Sequence, residues 1–444
     1  MTYIPHTDAD RRAMLDVLGV ASVEELFADV PEHARFPKID LPAAISELDV
    51  RRELESLAVA NFNVGEYVSF LGAGAYHHFV PAVVDAVIGR GEFFTAYTPY
   101  QAEISQGTLQ AIFEYQSMIC ALTGMEVSNA SHYDGATATA EAVITAFNIH
   151  RGKRSKVLLS PFVHPEYRDV VRTYTQGMEL EIVGDEGIES PLAELDQETA
   201  CIIVQYPDFL GRIADLGDVV AAAQQVDAVT VVVADPIALA LLKPPGAFNV
   251  DVVIGEGQGM GAGLNFGGPY LGFFATRKEY VRQMSGRLVG QTVDAEGERG
   301  FVLTLSTREQ HIRREKASSN ICTNQGLVAL AAAVYMAALG RCGMRQVAEL
   351  CYHRAHYAAD RIDEIPGFSV LRDRLFFKEF AVQCPASVSE INDYLLEEWG
   401  IIGGYDLGRD YYPQLEDHML LCVTEMNDRT EIDLLIDALG EVAR

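Results

Sequence analysis

The sequence predicts an α/β protein built on a mostly parallel, doubly wound sheet, with a helical N-terminal arm and a smaller C-terminal α+β domain. Three observations predict it. From about residue 134, short β-branched runs alternate with helical stretches, the pattern of parallel strands joined by crossover helices. The stretch VDVVIGEGQGMGAGLNFGGPYLG (250–272) is a strand, a Gly-rich loop and a second strand, the kind of strand-end loop that holds ligands in α/β folds. Of the 444 residues, 49% are hydrophobic, enough for a large core.

Residues 1–60 read as a helical arm. Within it SVEELFADV opens on a Ser22 cap with Glu25 in capping-box register. Residues 61–326 read as the large domain. DGATATAEAVITAFNIHRG is a helix, KVLLS a strand, and HPEYRDVVRTYTQG a helix ended by Gly177. ELEIVGD, ACIIVQYP, TVVVAD and VDVVIG read as strands, separated by helical PLAELDQ, LGDVVAAAQQV and PIALALLK. GPYLGFFAT is a further strand. Residues 327–444 read as the small domain. It opens with the apolar helix LVALAAAVYMAAL and ends on EIDLLIDALGEV.

Composition narrows the function. That apolar run is shorter than the roughly 18 residues a membrane span needs, so it reads as a core helix and no membrane partner is expected. The N-terminus lacks an apolar signal core, which argues against export. Seven cysteines lie far apart with no CxxC pair, as expected in a reducing cytoplasm. The net charge is −29, with seven lysines among the 34 basic residues. Such a surface repels phosphate backbones, so nucleic acid is excluded. Dense acid with arginine in place of lysine predicts adaptation to high salt, where a Debye length of about 3 Å damps self-repulsion.

Several residues could carry chemistry. Asp134, Gly135, Ala136 and Thr137 open a helix whose N–H groups suit a phosphate, although small residues there also permit close packing. Asp235 ends a strand, where a carboxylate can bind a protonated ring nitrogen or simply cap a helix. His164 begins a helix and could stack or cap. His77 and His78 lack a second ligand pair at usable spacing, so no metal is expected. The Gly-rich loop offers only Glu256, Gln258 and Asn265, with no nucleophile or lysine. Lys243 precedes the strand that aims this loop.

The order of these parts, a phosphate-suited helix start, strands, an Asp at a strand end and a loop 23 residues later, resembles a fold-type I pyridoxal-phosphate protein. There the loop should present a lysine. The stretches YTPYQAEISQGTLQAIFEYQSMICALTGMEVSNAS (97–131) and STREQHIRREKASSNICTNQ (306–325) closely resemble the glycine-cleavage P-protein family, in particular its alpha subunit. The likeness runs from SFLGAGAYHHFVP into the C-terminal domain. In that family the lysine lies in HKTxxxPHGGGGPG. Setting its GGP on Gly267–Gly268–Pro269 puts Gln258 where the lysine would be.

The resemblance implies glycine decarboxylation on pyridoxal phosphate held by a lysine-bearing beta subunit. The aminomethyl group would pass to the lipoyl arm of H-protein. It implies two copies of each subunit and no catalytic residue on this chain. Tyr97, Thr98, Tyr100, Gln101 and Glu103 form a polar-aromatic loop that could complete the partner's active site or belong to local core. Thr307, Arg308, Glu309, Gln310, His311 and Arg313 are typical of the family, without an evident mechanism. Two other readings stay open: a self-sufficient pyridoxal-phosphate enzyme using Lys243, and a non-catalytic scaffold.

Overall fold

The computed structural model describes residues 5–317 and 319–443. The chain divides into two units, 1–62 and 63–444. The first carries α1 (Asp8–Leu18) and α2 (Glu47–Val59), neither with a buried residue. A capping box does occur here, but between Thr7 and Asp10 at the start of α1. The expected box at Ser22 does not form. Glu24–Phe27 is a single 3₁₀ turn that begins after Val23, and Glu25 instead accepts from the Ala21 N–H at 3.1 Å. One turn is too short for the α-helical ladder that a capping box serves.

The second unit opens with β1 (Val68–Ser69), α3 (Ala82–Ile88), α4 (Gln106–Thr123) and β2 (Val127–Ser128). There follow α5 (Gly135–Ile149), β3 (Lys156–Leu159), α6 (Pro165–Thr175), β4 (Glu181–Val183), β5 (Thr199–Tyr206), α7 (Leu216–Gln225), β6 (Val229–Ala234), β7 (Val252–Glu256) and β8 (Gly272–Thr276). The seven strands β2 to β8 make one sheet in the order β2-β8-β7-β6-β5-β3-β4. The pairs β4–β3, β3–β5, β5–β6 and β6–β7 are parallel; β8 runs antiparallel to both β7 and β2.

The sheet is buried on both faces, as crossover helices demand. Alternate residues serve opposite layers. Ile202, Val204, Val232, Ala234 and Val253 pack on one side with α4 and α7. Cys201, Ile203, Val231, Val233 and Ile254 pack on the other with α5 and α6. PIALALLK, expected to be a helix, forms only a 3₁₀ turn at Ala238–Ala240. PLAELDQ likewise shortens to Pro191–Glu194.

Beyond the sheet, β9 (Leu288–Val293) and β10 (Arg299–Thr304) form a hairpin, followed by the single turn α8 (Gln310–Arg313). The long helix α9 (Gly326–Ile362) then leaves the sheet, kinked at Gly340. Among the described residues it is the one helix long and apolar enough to cross a membrane. Its first half, through Ala329, Tyr335 and Met336, instead belongs to the sheet core, and Ala355, Ala358 and Ile362 belong to a second core. That second core is the C-terminal lobe. Its sheet holds β11 (Ser369–Val370), β12 (Glu379–Gln383), β14 (Tyr405–Asp406) and β15 (His418–Cys422), with β13 (Ile401–Ile402) pairing separately with β1. Helices α10 (Val388–Trp399) and α11 (Arg429–Val442) cover it.

Candidate functional site

At the C-terminal ends of β5, β6 and β7 the fold brings together Asp134, Gly135, Thr137, His164, Asp235 and Gln258. His164 and Asp235 line a cavity of about 40 Å³ there, together with Gly74, Tyr76, Tyr167 and Glu256. Its groups are already engaged with one another.

Asp134 caps α5 with a reciprocal Thr137 bond, its Oδ1 accepting from Thr137 N–H at 2.7 Å. Ala136 lies in the same first turn. Gly135 N–H in that turn points at Glu256 Oε2, 2.9 Å away. Gly135 must be glycine: a Cβ there would lie 2.5 Å from the Tyr167 hydroxyl and 3.0 Å from Glu256 N. Glu256 also accepts from Gln258 N–H and Leu271 N–H, both at 2.9 Å. Burial pushes this carboxyl up to about 8, against the pull of the backbone donors.

Asp235 caps a turn, as its position allowed, and its other oxygen meets a lysine rather than a ring nitrogen. Its Oδ1 accepts from Ile237 N–H at 2.8 Å, capping the turn after β6. Its Oδ2 lies 2.7 Å from Lys378 Nζ, a lysine delivered from the C-terminal lobe just before β12. Burial opposes ionisation of Asp235, but the Lys378 ammonium outweighs it and holds the carboxyl below its ordinary value. The same pairing holds the Lys378 ammonium above its ordinary value, against the effect of burial. Lys378 Nζ also sits 3.2 Å from His78 Nε2 and 3.4 Å from the Tyr76 ring centroid.

Gln258 is 1% exposed. Its Oε1 accepts from Tyr76 N–H at 2.9 Å, and its Nε2 donates to Tyr76 C=O at 2.9 Å and to Gly263 C=O at 2.7 Å. His164 both caps and stacks. Its Nδ1 accepts from Glu166 N–H, its Nε2 donates to Ala73 C=O at 2.8 Å, and its ring stacks on Tyr167 at 4.6 Å. Burial pushes its pKa down to about 4, so the ring is neutral at physiological pH. Gly74 sits against this ring at φ +105°, where any Cβ would be 2.5 Å from Nε2.

His78, expected to bind no metal, is hydrogen-bonded through Nδ1 to Glu425 at 2.7 Å, with Cys351 Sγ 3.4 Å from the same carboxylate oxygen. The three ligand atoms lie within 4.8 Å of one another. The Lys378 ammonium on the other ring nitrogen places a positive charge beside any cation there. Lys243 is elsewhere, its Nζ 3.9 Å above the Phe248 ring.

A second constellation unites the two segments 97–103 and 306–325, which the sequence alone left unconnected. Thr98 is buried and its hydroxyl meets that of Thr323. Arg287 donates to the Tyr100 hydroxyl at 2.7 Å, lies under its ring, and forms a buried ion pair with Glu309. His311 Nδ1 is 3.4 Å from that carboxylate, and its ring meets Tyr100 edge-on at 5.6 Å. Arg308 is bound to the backbone carbonyls of Gly286 and Leu305, at 3.0 and 3.2 Å. Tyr97 is 70% and Tyr100 42% exposed, and Gln101, Glu103, Thr307, Gln310 and Arg313 face outward too. Arg287 was missed in the sequence because nothing in SGRLVG marks it. Its partner segments lie 187 residues upstream and 22 downstream.

The family description "Glycine cleavage system P-protein" matches residues 1–439. The chain is 56% identical to the "Probable glycine dehydrogenase (decarboxylating) subunit 1" of Thermomicrobium roseum, covering 99% of each chain. It is 51% identical to the subunit 1 so named from a Geobacillus species, covering 99% of this chain and 98% of the other. Among solved structures, glycine decarboxylase (P-protein) of the glycine cleavage system, in inhibitor-bound form, superposes with a TM-score of 0.93, 46% identity and full coverage of both chains. A C-DES mutant with glycine linked to its PLP cofactor shares only the fold, at TM-score 0.59 and 15% identity over 87% of this chain and 98% of that one. The fold is therefore fold-type I, that of pyridoxal-phosphate enzymes, and the chain belongs to the glycine cleavage system P-protein family.

Proposed function

We propose that this chain is the cofactor-free subunit of a two-chain glycine dehydrogenase (decarboxylating), working with a lysine-bearing partner that holds pyridoxal phosphate. The full-length identity to proteins named subunit 1 supports the activity and the need for a second subunit. The observation that carries the division of labour is the filled pocket.

Pyridoxal phosphate does not fit the residues present. The Gln258 amide cannot form an imine, because its nitrogen lone pair is delocalised. Gly135 N–H at the α5 N-terminus is taken by Glu256, and Asp235 by Lys378. The remaining 40 Å³ would hold little more than water, against the several hundred Å³ of a typical cofactor site. No chemical step is therefore assigned to this pocket. Lys243 lies over Phe248 and does not line the cavity, which argues against a self-sufficient enzyme.

What this chain supplies is a surface. The exposed aromatic and polar groups of 97–103 stand on a rigid footing of Thr98, Arg287 and Glu309. Such a footing suits side chains that must be held in place in a neighbouring subunit's active site. Beside them, exposed Arg313, Arg314 and Lys316, with Glu315 among them, carry a net positive charge on an acidic molecule, a complement for an acidic carrier such as lipoylated H-protein. Two copies of each subunit is the expected assembly. The seven free cysteines and the acidic composition suit a reducing, saline cytoplasm.

The test is reconstitution. The purified chain alone should release no CO2 from glycine. Addition of the partner subunit with H-protein should restore release. Full activity of the partner without this chain would reject the proposal and favour the scaffold reading.

A further inference from the structure

At the strand ends the polar groups of this pocket are paired with one another. In this fold two parts of the site attract the ends of a cofactor: a helix N-terminus favours phosphate, and a strand-end carboxylate favours a protonated ring nitrogen. In this chain Glu256 supplies an acidic group 2.9 Å from the Gly135 N–H, and Lys378 supplies an ammonium 2.7 Å from Asp235. We propose that Glu256 and Lys378 take the places of the two polar ends of the absent cofactor, Glu256 as a hydrogen-bond acceptor at the helix start and Lys378 as a cation beside Asp235, and lock the C-terminal lobe to the sheet in its place.

The contacts around segment 72–79 give the lock its shape. From the sheet side, Gln258 binds both the N–H and the C=O of Tyr76, and His164 binds Ala73 C=O. From the C-terminal lobe, Glu379 Oε1 accepts from Ala73 N–H at 2.7 Å and Oε2 from the Tyr76 hydroxyl at 2.8 Å. Glu425 accepts from Phe79 N–H at 2.8 Å, and the Thr424 hydroxyl donates to His77 C=O at 2.6 Å. Lys378, adjacent to Glu379, continues past this segment to reach Asp235 on the far side. The adjacent residues Lys378 and Glu379, at the start of β12, thus grip the sheet and the segment together. Lys378 and Glu379 are 2% and 6% exposed, so neither is a loose surface contact. An enzyme with cofactor in this position would be held together partly by the ligand. This chain carries the equivalent groups covalently, so it needs none. The inference concerns the chain itself and stands whether or not the proposed activity is right.

Two chemical rescues test it. Lys378→Ala leaves Asp235 buried and unpaired, and the melting temperature should fall by about 5 °C or more. Hydrogen exchange should rise in 72–79 and in β12 together. Ethylammonium chloride should recover part of the loss, and equimolar sodium chloride should not. Glu256→Ala should likewise lose stability and regain it with millimolar inorganic phosphate, beyond any shift phosphate causes in the unmodified chain. If Lys378→Ala is insoluble, the double variant Asp235→Asn/Lys378→Met supplies the answer, since removing both charges should restore a folded chain. Unchanged melting and exchange in Lys378→Ala, or recovery by sodium chloride as good as by ethylammonium, would overturn the lock. So would a Glu256→Ala chain indifferent to phosphate.

Discussion

At the residue scale the two constellations differ in what the sequence could say of them. The spacing from Gly267–Gly268–Pro269 points to Gln258, and Gln258 is buried, its amide bonded to Tyr76 and Gly263 and its N–H to Glu256. His164 is legible as a helix-start residue that could cap or stack, and it does both; Asp235 is legible as a strand-end cap, but its lysine partner is not. Lys378 was not legible. It sits 143 residues beyond Asp235, and a lysine in FKEF carries no sign that it will be buried. Only the packing of one lobe on another brings it in. The Tyr100–Arg287–Glu309 group was half legible, since the aromatic loop stood out and its arginine support did not. If Tyr100 contributes its hydroxyl to the partner's site, Tyr100→Phe should lower turnover of the assembled complex while leaving assembly intact. A positioned donor of this kind is typically worth about 2.7–4 kcal/mol in the transition state. Steady-state kinetics beside gel filtration checks this, and unchanged kcat and KM would assign Tyr100 to packing.

At the element scale, the long apolar and β-branched runs were read well. The strands from KVLLS to GPYLGFFAT all form, because two-sided burial leaves such runs few alternatives. The misreadings were short. PIALALLK and SVEELFADV have helical residues but too little length to sustain a helix, and each forms only a turn. Helix α5 starts at Gly135, as the sequence suggests, and its Gly135 N–H is met by an acidic group from the end of β7. That choice has a pH consequence. Burial pushes Glu256 up to about 8, and Glu379 and Glu141 to about 7. All three are raised above the unfolded values near 4.3, so between these limits the folded chain binds more protons. Their contribution is fully present below the unfolded values and is lost as pH rises through 7 and 8. Melting temperature should therefore fall between pH 6 and 9. Glu256→Gln should make that fall shallower, because it removes one of the three ionisations. An unaltered slope in this variant would show that Glu256 does not titrate in that range.

At the scale of the whole molecule, composition and partner come together. The −29 charge is a property of the sequence, and its cost in dilute buffer follows from screening alone. Melting temperature should rise steeply from low to molar KCl, and a flat or falling curve would remove the high-salt reading. The division of labour between chains is the larger claim, and it rests on a fold whose ligand pocket is filled from within. Borohydride reduction of the isolated chain, and of the mixture with its partner, in the presence of pyridoxal phosphate, followed by peptide mapping, tests it most directly. A stoichiometric pyridoxyl-lysine should appear on the partner and none on this chain. A stoichiometric pyridoxyl label on this chain, at Lys243 or at Lys378, would contradict the account.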